Sequence, residues 1–201
     1  MGDEIAMSLR YALLALLTAE PLTGYDAAKR FSGSVGHVWH APDSQIYPEL
    51  RRMEAEGLVD GEQVRWGPRS TKTRYRITDD GISALRKWMD TPLDYAPIRD
   101  APHMRAAYFE WADPDSARDH LHRHIAHYTE QLAQWTAQRQ AIVDASSPTI
   151  SRRLARYPET DHERIVAYKA FAYDGLIMRA ESEITWARKG LELVDRLSPE
   201  R

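Results

Sequence analysis

Apolar residues recur at helical spacing over residues 8–19, where Leu9, Leu13, Leu16 and Leu17 share a face. Glu20-Pro21 closes that helix, and a second is expected over 22–33 with Tyr25, Ala28 and Phe31 on one buried stripe. A Gly/Ser stretch at 32–36 breaks it. Ile46, Leu50 and Met53 then repeat at steps of four and three, which predicts a third helix from Ser44 to Glu56. Asp43 or Ser44 is placed to cap it, because a side-chain oxygen there can accept the unpaired N–H groups of the first turn. At 100° per residue, Ser44, Pro48, Arg51 and Ala55 point away from the buried face, with Gln45, Tyr47 and Arg52 on the flanks.

Gly57 is the natural stop for this helix. The period then changes. Residues 58–66 and 73–78 read as two strands joined by an exposed tip, Gly67-Pro68-Arg69-Ser70-Thr71-Lys72. In the second strand Thr73, Tyr75 and Ile77 alternate with Arg74 and Arg76, the pattern of a half-buried strand whose arginines face solvent. Thr78 caps a further helix in which Ile82, Leu85 and Trp88 or Met89 turn inward.

Pro92, Pro97 and Pro102 mark a stiff linker at 92–102 between domains at 1–91 and 103–201. Beyond it the strand pattern disappears. A short helix at 103–111 precedes a long one that Asp113 caps and Pro114 opens. Its stripe is Leu121, Ile125, Tyr128, Leu132, Trp135 and Ile142. Ser147-Pro148 breaks the chain, a helical turn precedes Pro158, and Thr160-x-x-Glu163 has the form of a capping box. The last helix carries a heptad seam of Val166, Ala170, Tyr173, Ile177, Ala180, Ile184, Ala187, Leu191 and Val194. Two such helices leave apolar surface over, and a second copy of the chain is the economical partner. Val166, Tyr173, Ile177, Ile184, Leu191 and Val194 are the candidate dimerisation residues.

Composition and charge refine the picture. Forty-three per cent hydrophobic and 28% charged residues describe an ordinary globular protein. Cysteine is absent, which removes disulfide and cysteine-metal chemistry and fits a reducing cytoplasm. The apolar run near the N-terminus follows Asp3 and Glu4 and is too short to span a bilayer, so neither a secretory leader nor a membrane partner is expected. Net charge is −3, mildly against a nucleic-acid partner, but Arg65, Arg69, Lys72, Arg74 and Arg76 fall in one stretch free of acids.

A capped helix followed by a basic hairpin suits duplex DNA. Arg51 and Arg52 offer forked donors to phosphate or guanine, and Gln45 can bond an adenine edge in two places. Ser44 and Tyr47 can bond phosphate or base, and Arg69, Ser70, Thr71 and Lys72 suit the backbone or minor groove. The plain alternative is a solvated helix face balanced by Glu49, Glu54 and Glu56. Tyr108, Trp111, Trp135 and Tyr168 are read either as dimer core or as walls for a flat apolar effector. His120, His124 and His127 share a helical face, but no third-element ligand is fixed by sequence, so a solvent-facing cluster is the default and no metal or cofactor is assigned. No Gly-rich phosphate loop or nucleophile elbow is present, and no catalytic residues are assigned.

Four pieces and their spacing resemble the PadR-type winged helix-turn-helix regulators: Pro21-Leu-Thr-Gly-Tyr-Asp26, Ser44-Gln-Ile-Tyr-Pro-Glu-Leu50, Glu56-Gly-Leu-Val59 and Tyr75-Arg-Ile-Thr-Asp-Asp-Gly81. The resemblance covers about the first 90 residues; the two-helix remainder is similar in architecture to the family's longer-tailed branch. It implies a mainly α fold with a small β-wing: an N-terminal winged helix-turn-helix domain and a C-terminal antiparallel long-helix dimerisation domain. It also implies a homodimeric repressor, less often an activator, with a small-molecule effector. Recognition would fall to Ser44, Gln45, Tyr47 and Arg51, and wing contacts to Arg69 and Lys72. The competing readings are a winged-helix protein-interaction module without DNA binding, and a helical enzyme or metal carrier built on the histidines.

Overall fold

The computed structural model describes residues 2–33, 42–66, 70–93, 95 and 97–198, and the chain divides into two compact units. The first comprises 1–94 together with 148–158; the second comprises 95–147 and 159–201.

The first unit holds α1 (Gly2–Leu17), β1 (Leu22–Thr23), α2 (Gly24–Gly33), α3 (Asp43–Ala55), β2 (Val59–Trp66), β3 (Ser70–Ile77), α4 (Asp79–Asp90) and α7 (Pro148–Leu154). Leu13, Leu14, Phe31, Ile46, Leu50, Met53 and Val59 are its largest fully buried side chains. They come from α1, α2, α3 and β2, so the apolar stripes of three helices and the first wing strand close on one core. Leu22 and Thr23 do not open α2. They form a two-residue strand, with Leu22 opposite Tyr75 and Thr23 opposite Arg74, and complete a sheet of order β1-β3-β2. The wing strands pair antiparallel from Val59–Ile77 to Trp66–Ser70. Ser70, Thr71 and Lys72 are therefore strand residues rather than part of the tip, and Arg69 lies outside the described residues.

α3 begins at Asp43 with Pro42 at the N-cap position, so Asp43 and Ser44, the expected caps, are the first two residues of the helix itself. Pro48 sits inside the helix. The other end follows the sequence reading. Gly57 takes φ +74°, its N–H donates to Glu54 O, and Leu58 N–H donates to Met53 O, the paired bonds of a Schellman stop. Thr78 caps α4 by accepting from Gly81 N–H. Trp88 stacks on Tyr11 at 4.8 Å but remains exposed, as Met89 does, so neither completes the inward face expected of α4.

The segment 148–158 packs with the first unit although the sequence groups it with the C-terminal region. Ile150 is buried there, and Arg153 donates to Ala15 O and to Thr18 Oγ, both at 3.0 Å. Thr18 Oγ itself donates to Ala15 O at 2.8 Å, so the three groups close a small network at the end of α1.

The second unit holds α5 (Ala101–Ala106), a 3-10 turn (Phe109–Trp111), α6 (Pro114–Val143) and α8 (Glu159–Leu197). Asp113 caps α6, accepting from Asp115 and Ser116 N–H. α8 starts at Glu159, one residue before Thr160, so the expected capping box lies inside the first turn. α6 and α8 run antiparallel: Arg118 meets Asp195, Leu121 packs at Gly190, His124 meets Glu183 and Arg139 meets Asp174. Between them Trp135, Ile142, Tyr173 and Ala180 form a core that Val166, Ile177, Tyr128 and Leu132 extend.

That core uses the heptad seam within the chain. Tyr173 and Ile184 are buried, and Val166, Ile177, Leu191 and Val194 are half-buried. A heptad pattern specifies a facing helix without saying which chain supplies it. The opposite face of α8 carries Tyr168, Phe171, Met178, Leu193 and Leu197, all exposed.

Candidate nucleic-acid interface and ligand cavity

Three rows of α3 decide what it presents. Ile46, Leu50 and Met53 are fully buried, and Ser44, Gln45, Tyr47, Arg51 and Arg52 are exposed on the opposite arc. Glu49 is the exception, a carboxylate only 4% exposed. Its Oε1 accepts from Arg10 Nε at 2.7 Å and its Oε2 from Arg52 Nη1 at 3.1 Å. Arg10 also grips Glu56 with both terminal nitrogens, at 2.7 and 2.8 Å. Burial opposes the charge on Arg10, yet the hydrogen bonds to Glu49 and Glu56 carry its pKa above the usual arginine value. α3 is thus fastened to α1 by a charged clamp. Arg52 is half committed to that clamp, whereas Arg51 has no ion pair among the described residues.

Tyr47 lies across the start of α2. A Cβ built on Gly24 would stand 2.6 Å from Tyr47 Cε1, so only glycine leaves the ring where it is. Tyr25 is exposed rather than core. It helps hold Lys72, whose ammonium stands 3.4 Å from the centroid of Trp66 and 5.1 Å from that of Tyr25. Trp66, 54% exposed at the outer end of β2, joins the candidate surface, and the sequence reading did not name it. Arg74 is paired with Glu62 at 2.7 Å across the strands, and the hydrogen bond from Arg74 lowers the Glu62 pKa. Arg65, Ser70 and Thr71 are exposed. A helix face rich in forked and amide donors beside a cationic hairpin can follow a phosphate backbone and reach base edges.

The residues read as effector walls do not come together. Tyr108, Trp111 and Tyr168 are exposed, and Trp135 is 7% exposed in the α6–α8 core. Among the described residues, the Trp135 indole N–H has no acceptor. A cavity of about 340 Å³ opens elsewhere in the second unit, and none of these four lines it. Phe109, Leu121 and Trp186 form its apolar walls, and Arg105, Arg123 and the histidines its polar rim. The histidines are fixed by ring contacts. His120 lies parallel to Phe109, His124 meets Trp186 edge-on, and His103 stacks on Trp186 at 4.0 Å. Glu183 Oε2 stands 3.0 Å from His124 Nε2 and 3.8 Å from His103 Nε2. The backbone N–H of His103, then its side chain, hold the Asp100 carboxyl below its usual pKa. Among the described residues no group of three or more His, Asp or Glu is placed to hold a metal ion. No described helix is long and apolar enough to cross a membrane.

The description of the transcriptional regulator PadR-like family matches residues 13–87, and that of the virulence activator alpha C-terminal region matches 98–195. Residues 13–87 are a PadR-like domain. The negative transcriptional regulator PadR of Bacillus subtilis (strain 168) is 36% identical over 104 residues, 50% of this chain and 56% of that protein. The alignment thus spans little more than half of that relative. The fold matches the crystal structure of Bacillus subtilis PadR in complex with operator DNA, with a TM-score of 0.74, 22% identity, and coverage of 94% of this chain and 99% of that one. It also matches Bacillus subtilis PadR in complex with p-coumaric acid, with a TM-score of 0.70, 21% identity, and coverage of 94% and 97%. The PadR-like match contains α3 and the wing; the virulence-activator match contains the α6–α8 pair.

Proposed function

We propose that this PadR-like protein is a homodimeric transcriptional repressor that binds operator DNA through α3 and the wing and is released by a small molecule. One observation carries the reading. α3 turns Ser44, Gln45, Tyr47, Arg51 and Arg52 outward while Ile46, Leu50 and Met53 anchor its other side. The wing places Arg65, Ser70, Thr71 and Lys72 on the neighbouring hairpin, so the local charge is positive although the chain is −3 overall. Relatives support the partners, since one solved PadR holds operator DNA and another p-coumaric acid. A repressor of this kind works in the cytoplasm, on genomic DNA.

The second copy docks on the exposed α8 row of Tyr168, Phe171 and Met178, because the heptad seam is already filled by α6. In the dimer the two α3 helices stand about 34–36 Å apart, one turn of B-DNA.

The test is fluorescence anisotropy of promoter fragments against salt. Arg51→Ala is expected to weaken binding at least about tenfold, the size of one good bidentate contact. Replacing Arg69 and Lys72 with Ala weakens binding to all sequences and flattens the salt slope by nearly one unit for each phosphate no longer neutralised. Absence of binding to any genomic fragment at moderate salt would leave only a protein-interaction module.

A further inference from the structure

We propose that Trp66 and Tyr25 are positioning residues for operator binding: together they seat the Lys72 ammonium on neutral rings and hold it, still fully charged, for one DNA phosphate. This rests on the repressor reading and goes beyond it by giving two aromatic side chains a role in DNA affinity.

The sheet explains why the three meet. Its order is β1-β3-β2, so Lys72 lies on the middle strand with a neighbour on either side. Lys72 faces Val64 on β2, and Trp66, two residues on, is its diagonal neighbour on the same face. On the other side Thr23 faces Arg74, so the chain that runs on from β1 into α2 brings Tyr25 level with Lys72. One ring comes from the wing and the other from the first turn of α2. The ammonium stands 3.4 Å from the Trp66 centroid and 5.1 Å from that of Tyr25, both within the distance at which a ring face attracts a cation. Both rings are exposed, so neither is spent on the core.

The neighbouring cations are held in another way. Arg74, on the same face of β3, is paired with Glu62, and Arg52 on α3 with Glu49. A carboxylate fixes a cation but cancels its charge. A ring fixes it through its quadrupole and leaves the net charge whole. Lys72 has no ion pair among the described residues. An ammonium carries three N–H donors, and those turned away from the rings stay free for a phosphate oxygen. Lysine is otherwise a point charge on a flexible four-carbon stem. Ordering such a side chain only on binding weakens affinity by about two- to tenfold. The aromatic seat removes that loss in advance.

The experiment joins a DNA-free measurement to a DNA titration, both on the full chain. In a carbon–proton correlation spectrum of the free protein, the εCH2 protons of Lys72 are expected upfield of those of the other four lysines, because they lie in the Trp66 ring current. Lys72→Ala assigns the signal, and Trp66→Leu returns it to the common position. Anisotropy of promoter fragments against salt then reads the role. Lys72→Ala lowers the salt slope by nearly one unit. Trp66→Leu weakens binding about two- to tenfold with the slope unchanged, since the charge is still present. Tyr25→Leu has the same effect to a smaller degree, and Trp66→Phe, which keeps a ring, stays within about twofold of the parent. In the Lys72→Ala background Trp66→Leu has no further effect. A wing merely loosened by the substitution would lose affinity in both backgrounds. Trp66 and Tyr25 come from different elements, so a folding defect in one variant leaves the other as the test. An unshifted Lys72 signal, full affinity in both leucine variants, or an equal loss with and without Lys72 would overturn the proposal. DNA binding with an unshifted signal would defeat this inference alone. A shifted signal in a chain that binds none of the fragments would defeat the repressor reading, and the phosphate role with it.

Discussion

Replacing Glu49 with Ala separates the architecture of α3 from its surface chemistry. The substitution removes the buried carboxylate that joins α1 to α3 and leaves Arg10 with Glu56 as its remaining partner. A hydrogen bond to a charged group contributes about 1.5–3 kcal/mol net. The Arg10 side is one such bond, at 2.7 Å and almost out of solvent. The Arg52 side reaches an arginine that is 56% exposed, and an exposed pair adds about 0.5 kcal/mol or less. Since Arg10 keeps both contacts to Glu56, no uncompensated buried charge is left, and the larger penalty of a broken buried pair does not apply. The expected loss is about 2–3 kcal/mol, or roughly 10–15 °C in the midpoint of a unit of about 100 residues. Arg52→Ala should lose less than about 0.5 kcal/mol while weakening DNA binding. Urea unfolding followed by far-UV circular dichroism reads both. Equal losses for the two variants, or a loss under about 1 kcal/mol for Glu49→Ala, would refute the clamp.

Gly24→Ala should leave stability nearly unchanged but reduce operator affinity, because the new methyl displaces the exposed Tyr47 ring rather than backbone; anisotropy and a melting curve on one sample check both. Ala145→Gly should stabilise the chain by about 0.5–1 kcal/mol, since Ala145 follows α6 at φ 50°, a left-handed stop that glycine adopts without its Cβ penalty. Phe171→Glu with Met178→Glu should convert the proposed dimer to monomer in sedimentation equilibrium with little change in the melting of the single subunit, both side chains being exposed.

How much of this was legible depends on whether a residue's role is set by its neighbours in sequence. The period of Ile46, Leu50 and Met53, the glycine at 57 and the alternation of Thr73, Tyr75 and Ile77 are local signals, and the third helix and wing follow them. Leu22 and Thr23 are too few to carry any period; only pairing with β3 makes them a strand, so the beginning of the second helix was placed two residues early. The helical stripe puts Tyr25 in the core, but its ring is exposed and stands 5.1 Å from the ammonium of Lys72, 47 positions on. The α8 seam is unmistakable as a seam, yet its partner is α6 of the same chain, a choice that the heptad cannot encode. The cavity of the second unit draws Arg105, Phe109, Arg123 and Trp186 from separate segments. The histidines advertised that region; the arginines did not, because nothing near them in sequence marks them as lining.

α7 gives the molecule a property that a linear map of its domains conceals. The main chain passes from one unit to the other three times, near residues 94, 147 and 158, so the N-terminal body includes a loan from beyond residue 147. A fragment ending at the proline-rich stretch would lose Ile150 from its packing and the Arg153 fork from the end of α1. Proteolytic nicking near residue 94 should then yield two pieces that stay together through gel filtration, and an isolated head of 1–91 should melt below the intact protein. α7 thus works as a splint: it belongs to the N-terminal unit, yet its two ends continue into the segments that join α6 and α8.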